Sequence, residues 1–182
     1  MSWKGYCLAL LSLASIAAMT PRAEAASARE IDGGVRETLD RFFGKVRGAN
    51  ELANKSVALL VFPSVVKAGI GFGGEYGEGA LLVRGDTVDY YNTVSASVGF
   101  QLGVQERSII IAFMTQSALD QFRRTAGWKV GVDGSVAIVT VGVGGSIDTN
   151  KITSPVIGFI LDPKGLMYNL TLEGSKITRI SR

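Results

Sequence analysis

The chain has 182 residues, a net charge of +3 and a pI near 9.1. It contains no histidine and one cysteine, Cys7. These counts exclude Ser-His-Asp and Cys-His nucleophilic sites, histidine-based zinc sites and an internal disulfide.

Carboxylate or lysine chemistry survives that exclusion, but general acid–base work needs a placed pair and none stands out. The reading is therefore non-enzymatic, with no metal and no cofactor; a carboxylate hydrolase is the minor rival. The mildly basic charge permits an anionic membrane surface as partner. No cluster of Lys and Arg with interleaved aromatics is present, which argues against nucleic acid.

Residues 1–25 have the pattern of an export signal. Lys4 gives a positive start, Tyr6 to Met19 is almost all apolar or small, and Ala23-Glu24-Ala25 is an A-x-A cleavage site. The apolar run is short for a membrane span, which needs about 20 residues. Cys7 lacks a lipobox-like context, so no lipid anchor is expected on it. The remaining residues, 26–182, suffice for one domain with its own core. Without cysteine, that core must be held by packing.

From Ser27 to Val46, the residues Ile31, Val35, Leu39, Phe42, Phe43 and Val46 recur at helical spacing and form one stripe. The polar side mixes Arg36, Glu37, Asp40, Arg41 and Lys45. It lacks the cationic face of an interfacial membrane helix, so packing on the core is expected. Ser56–Phe62 reads as a buried strand stopped by Pro63, with Ser64–Lys67 as a turn.

Lys67–Leu82 (KAGIGFGGEYGEGALL) is the most distinctive stretch. It carries Gly69, Gly71, Gly73, Gly74, Gly77 and Gly79 between strand-like flanks. Gly69, Gly71 and Gly74 spell G-x-G-x-x-G, but no helix can open at Glu75-Tyr76-Gly77-Glu78-Gly79, so a dinucleotide site is rejected. Glycine inside strands marks a bulge, a bend or a close approach of backbone or ligand. A glycine-lined surface meeting a head group or a partner chain is the alternative.

Glu78–Val83 and Thr87–Tyr91 read as strands joined by a turn at Arg84-Gly85-Asp86. Val94–Val104 alternates with period two, and its second face is small rather than charged. Gln105-Glu106-Arg107 reads as a turn before the strand Ser108–Met114. Thr115–Ala126 reads as a helix with a polar cap, Leu119 and Phe122 facing inward, Arg123 and Arg124 in the last turn and Gly127 as the stop. Val130–Ile147 is strand-like and glycine-rich. Pro155–Leu161 reads as a strand, Asp162-Pro163-Lys164-Gly165 as a turn, and Leu166–Leu172 and Ile177–Ile180 as the final strands.

Three segments in order, KAGIGFGGEYGEGALLV at 67–83, VGFQLGVQERSIIIAFMTQSALDQF at 98–122 and GLMYNLTLEGSKITRI at 165–180, resemble the SYLF domain family. The resemblance covers nearly all of Ser27–Arg182. SYLF domains are lipid-binding modules of exported bacterial proteins and of eukaryotic membrane-trafficking proteins; eukaryotic relatives bind phosphoinositides, and some bind actin filaments. The resemblance thus implies recognition of anionic or phosphoinositide-like head groups at a membrane surface. Together with the signal, it implies a periplasmic or outer-membrane-associated protein of a Gram-negative bacterium. Many relatives have Trp-Ser-x-Pro where this chain has Tyr90-Tyr91-Asn92-Thr93, so that tryptophan's contacts do not carry over.

The expected fold is a single α+β domain. Its mostly antiparallel sheet of about eight to ten strands is strongly curved, with a barrel as the limiting form, and two helices cover it. An anionic ligand needs cations. The basic residues beside recognisable features are Lys67, Arg84, Arg123, Arg124 and Lys129. The alternative function is a cell-envelope assembly module that binds another protein through the glycine-rich sheet edge.

Overall fold

The computed structural model describes residues 26–140, 153–165, 172 and 174–182. The expected signal segment 1–25, the later part of Val130–Ile147 and most of Leu166–Leu172 lie outside them. The elements in order are α1 (Ala28–Lys45), α2 (Ala49–Lys55), β1 (Ala58–Val83), β2 (Asp86–Phe113), α3 (Gln116–Arg124), β3 (Trp128–Lys129), β4 (Ala137–Thr140), β5 (Val156–Gly165) and β6 (Lys176–Ile180).

The centre of the fold is a β1–β2 ribbon. The two strands pair antiparallel from Ala58↔Phe113 to Val83↔Asp86. Arg84 and Gly85 both have positive φ, 55° and 91°, which is the tight hairpin turn whose twist matches its strands. The far edge of β2 is shared by β5, along Gln105–Phe113, and β6, along Tyr90–Val94. β3 adds to β6, and β4 adds to β5 in parallel. The sheet curls into a half-barrel.

The curl has a local cause. The register shifts between Ile70 and Phe72, inside the glycine stretch. A Cβ placed on Gly69 would lie 2.4 Å from the Phe72 carbonyl oxygen and 2.5 Å from the Gly73 Cα, so the chain doubles tightly there. Beyond this bend, the second half of β1 returns across the first. A Cβ on Gly79 would meet the Val61 carbonyl oxygen at 2.2 Å, although the two residues belong to one strand. A straight strand would hold them about 60 Å apart at about 3.3 Å per residue.

The bent ribbon is buried on both sides. Leu60, Phe62, Val65, Leu81, Tyr91, Ile109, Ile111 and Phe113 share a core with Leu119 and Phe122 of α3 and with Trp128. Phe122 sits 4.9 Å, ring to ring, from both Tyr91 and Phe113. This face is the inside of the curl, because Gly77 and Gly79 approach Val65 and Phe62 of the same core. The alternate residues Leu59, Val61, Ala80, Leu82, Ile110 and Ala112 form the outer core under α1 and α2. The α1 stripe is as expected: Ile31, Val35, Phe42 and Val46 are buried, while Leu39 and Phe43 are partly buried.

α1 begins with a complete capping box between Ser27 and Glu30. Asp32 accepts hydrogen bonds from Thr87 and Tyr90, and Asp162 pairs with Arg41 and Lys45, so both ends of the helix are tied to the sheet. α3 matches the expected helix, with Thr115 as its cap. No helix among the described residues is long and apolar enough to cross a membrane.

Three expected turns are strand instead. Pro63 does not end β1, because it falls in a register shift between Phe62 and Val65, where its missing N–H costs no ladder bond. Gln105-Glu106-Arg107 continues β2 opposite Val65, Val66 and Lys67. Asp162-Pro163-Lys164-Gly165 continues β5 past a shift near Ser108. Expected short strands therefore run together into the long β1 and β2. α2 is an additional helix that the sequence pattern did not mark.

Candidate functional site

Of the expected cations, Lys67 is turned inside the curl. It is 6% exposed and lies opposite Gln105 in register. Glu75 and Arg107 form an ion pair at 2.6 Å nearby, with both side chains buried. Burial pushes the Glu75 carboxyl above its ordinary value; the charges of Arg107 and Lys67 pull it partly back. The Lys67 side chain is thus buried inside the curl, near the Glu75 carboxylate, and is not on the exposed face.

Arg84 is exposed at the hairpin turn. Arg123 pairs at 3.1 Å with Asp89, a buried carboxylate that also holds Arg179. Arg124 is exposed at the end of α3, and Lys129 is exposed on β3 opposite Lys176. Among the described residues, no ion pair or strand register joins one of the five expected cations to another. Two of them are joined by β6 cations that sequence reasoning missed, Arg179 and Lys176. Their residue type was visible, but the register that places them was not.

That register builds a row across four strands. Tyr76 on β1 lies opposite Val94 on β2; Val94 lies opposite Lys176 on β6; Lys176 lies opposite Lys129 on β3. Directly opposed residues share a sheet face. Tyr76 is 49% exposed, Val94 is 44% exposed, and both lysines are exposed. Like charges directly opposed across strands are unfavourable, so the Lys129–Lys176 register sets two cations together at a local electrostatic cost. At the ribbon bend the apolar surface continues with Phe72, 76% exposed, and with Val104 and Val66.

A groove of about 800 Å³ opens beside this row. Val66, Ala68, Tyr76 and Val94 line it together with Glu75 and Glu78. Glu78 accepts a hydrogen bond from the Tyr76 hydroxyl and pairs with Arg182. Burial raises the Tyr76 hydroxyl pKa, and the Glu78 carboxylate adds to the shift. A second cleft, of about 1010 Å³, lies under α1. Arg41 fills its polar wall, donating to Glu37, Thr38, Ser108 and Asp162. That cleft is occupied by helix-to-sheet bonding and leaves Arg41 little to offer a ligand.

The glycines divide by environment. Gly69, Gly77 and Gly79 have their Cβ directions blocked by the chain's own backbone, whereas a Cβ on Gly74 would have only the Ser95 carbonyl oxygen within reach, at 4.0 Å. Gly73 lies in the bend itself, where its Cα faces Gly69. Among the described residues, no group of three acidic, His or Cys side chains is placed to hold a metal.

The fold and site together define a one-domain α+β module, built on a bent ribbon, with an exposed face that sets apolar groups beside lysines. Residues 94–181 match the family described as Ysc84, Las17-binding protein actin regulator, in line with the resemblance to the SYLF domain. The matched stretch starts within β2, and its sheet is completed by β1 and α1 from the preceding residues. Comparison with the curated proteins found no match.

Proposed function

We propose that this is an exported, non-enzymatic lipid-binding protein that recognises anionic phospholipid head groups at a membrane surface. The observation that carries the reading is the row Tyr76–Val94–Lys176–Lys129. Amphipathic aromatic and apolar groups sit in the interfacial zone of a bilayer, and each Lys near an anionic surface contributes about 1 kcal/mol. The exposed Phe72 extends the apolar part. The glycine-rich segment supports a protein-docking edge less well, because Gly69, Gly77 and Gly79 are turned against the chain itself. Export to the periplasm or the outer membrane rests on the 1–25 pattern, and N-terminal sequencing of the exported form checks it.

The test is co-sedimentation with phosphatidylcholine vesicles, with and without phosphatidylglycerol, at two salt concentrations. Charge reversal at Lys129 or Lys176 is expected to weaken binding by about tenfold or more, and added salt to weaken it further. Reversal at Lys67 tests the internal position instead and should lower stability. Binding unaffected by either surface reversal, or by salt, refutes the assignment.

A further inference from the structure

Asp89 is 5% exposed, and its carboxylate holds two arginines that come from separate elements. Arg123, in the last turn of α3, pairs with Oδ2 at 3.1 Å, and Arg179, on β6, pairs with Oδ1. One guanidinium balances one carboxylate, so the cluster carries one positive charge in excess. Neither arginine is buried by the contact: the side chains stay 45% and 68% exposed. Each spends one terminal nitrogen, Nη2, on Asp89, whereas a guanidinium has five N–H donors in a planar fork. Among the described residues, neither fork makes another hydrogen bond or ion pair. Both arginines stand on packed core: Tyr91, opposite Arg179 in register, is buried against Phe122, the residue before Arg123.

The cluster lies across the sheet from the row. Arg179 is opposite Tyr91 and Lys176 is opposite Val94, and residues three apart on a strand point to opposite faces. A membrane met through Lys176 and Lys129 is therefore on the other side of the sheet from the arginine pair. Two forks, fixed from one side by a buried carboxylate and open on the other, suit an oxyanion whose oxygens can serve both forks at once. We propose that Arg123 and Arg179 form a second anion site, for the phosphate group of a water-soluble ligand. Asp89 does not touch the ligand; it holds the two guanidiniums together. Arg124, exposed beside Arg123, adds to the positive field. A lipid phosphate monoester presents the same chemistry, so the experiment separates the two sources. This inference goes beyond the lipid-binding reading and does not depend on it.

The experiment titrates the parent with inorganic phosphate at neutral pH and constant ionic strength, following the arginine Nε–H resonances by NMR. A saturable shift at Arg123 and Arg179 is expected, and chloride at equal ionic strength should give none. Arg179→Gln should weaken phosphate binding by about tenfold, the loss of one charge-assisted contact. Arg179→Lys keeps the charge without the fork and should fall between the two. Arg123 still holds Asp89 in both variants, so their urea midpoints should stay near the parent's. A shift that does not saturate, or an affinity that both variants leave unchanged, overturns the site. Phosphatidylglycerol vesicles should bind the parent and Arg179→Gln alike, because Lys129 and Lys176 lie on the other face. Vesicles of phosphatidic acid, a phosphate monoester, should also bind the two alike; tighter binding by the parent overturns the soluble source and assigns the site to a lipid. A parent that takes up phosphate but ignores every vesicle supports this site and refutes the lipid-binding reading.

Discussion

Gly79→Ala is the sharpest test of the bent ribbon. The added methyl would sit 2.2 Å from the Val61 carbonyl oxygen, 2.9 Å from the Val61 carbonyl carbon and 2.7 Å from the Phe62 ring. Ordinary contact begins near 3.4 Å, so the oxygen overlap exceeds an ångström, and the obstacle is backbone within a paired strand. Overpacking costs about 1–3 kcal/mol, and a rigid neighbour puts this site at about 3 kcal/mol. Gly74→Ala is the internal control. It lies in the same strand with only one atom near, at 4.0 Å, and should be neutral or stabilising by about 0.5 kcal/mol through loss of unfolded-state entropy. With a urea m-value of about 2 kcal/mol/M, the midpoint should fall by about 1.5 M for Gly79→Ala and hold or rise slightly for Gly74→Ala. Equal shifts for the two variants would falsify the account of β1 folding back on itself, because a generic glycine effect would then explain both.

Phe42 is fully buried and packs 5.3 Å, ring to ring, from Phe159, so Phe42→Ala should cost about 3–5 kcal/mol in chemical denaturation. Leu39→Ala, at a partly buried position, should cost less; the reverse order would move α1 off the sheet. Glu75 has a folded-state pKa raised above 4.5, so its contribution to stability is complete below that pH and is lost as pH rises through the raised value. Glu75→Gln should therefore flatten the decline in urea midpoint across that window, and an unchanged slope would count against the burial argument. Asp162 is shifted the other way: its hydrogen bond with Lys45, helped by Arg41, holds it below 3.8. Its contribution is present above 3.8 and lost as pH falls through the lower folded value, so Asp162→Asn should remove that acid-side loss and leave the α1–β5 contact weaker at neutral pH.

Local periodicity was enough to place α1 and α3, the hairpin at Arg84-Gly85 and the core identity of Ile31, Val35, Phe42, Leu119 and Phe122. Each of those depends on spacings of two to four residues, and such spacings are written directly in the chain. The ordered glycine segments likewise carried the family resemblance and the expectation of a curved sheet. What the chain could not show was where polar residues go once the ribbon bends. Gln105-Glu106-Arg107 has the composition of a turn, yet the bend at Gly69–Gly73 puts Glu75 in reach of Arg107, and a buried ion pair lets the polar triplet stay in the strand. Lys67 looked like a surface cation for the same reason: the Glu75 carboxylate lies farther along the same strand and comes near it only after the curl. Lys129, Lys176, Val94 and Tyr76 come from four separate segments, and they form one row solely through the pairing of β1, β2, β6 and β3. Strand register is a long-range property, set by how the whole sheet buries its two cores, so the face that defines the candidate site exists only in the tertiary structure.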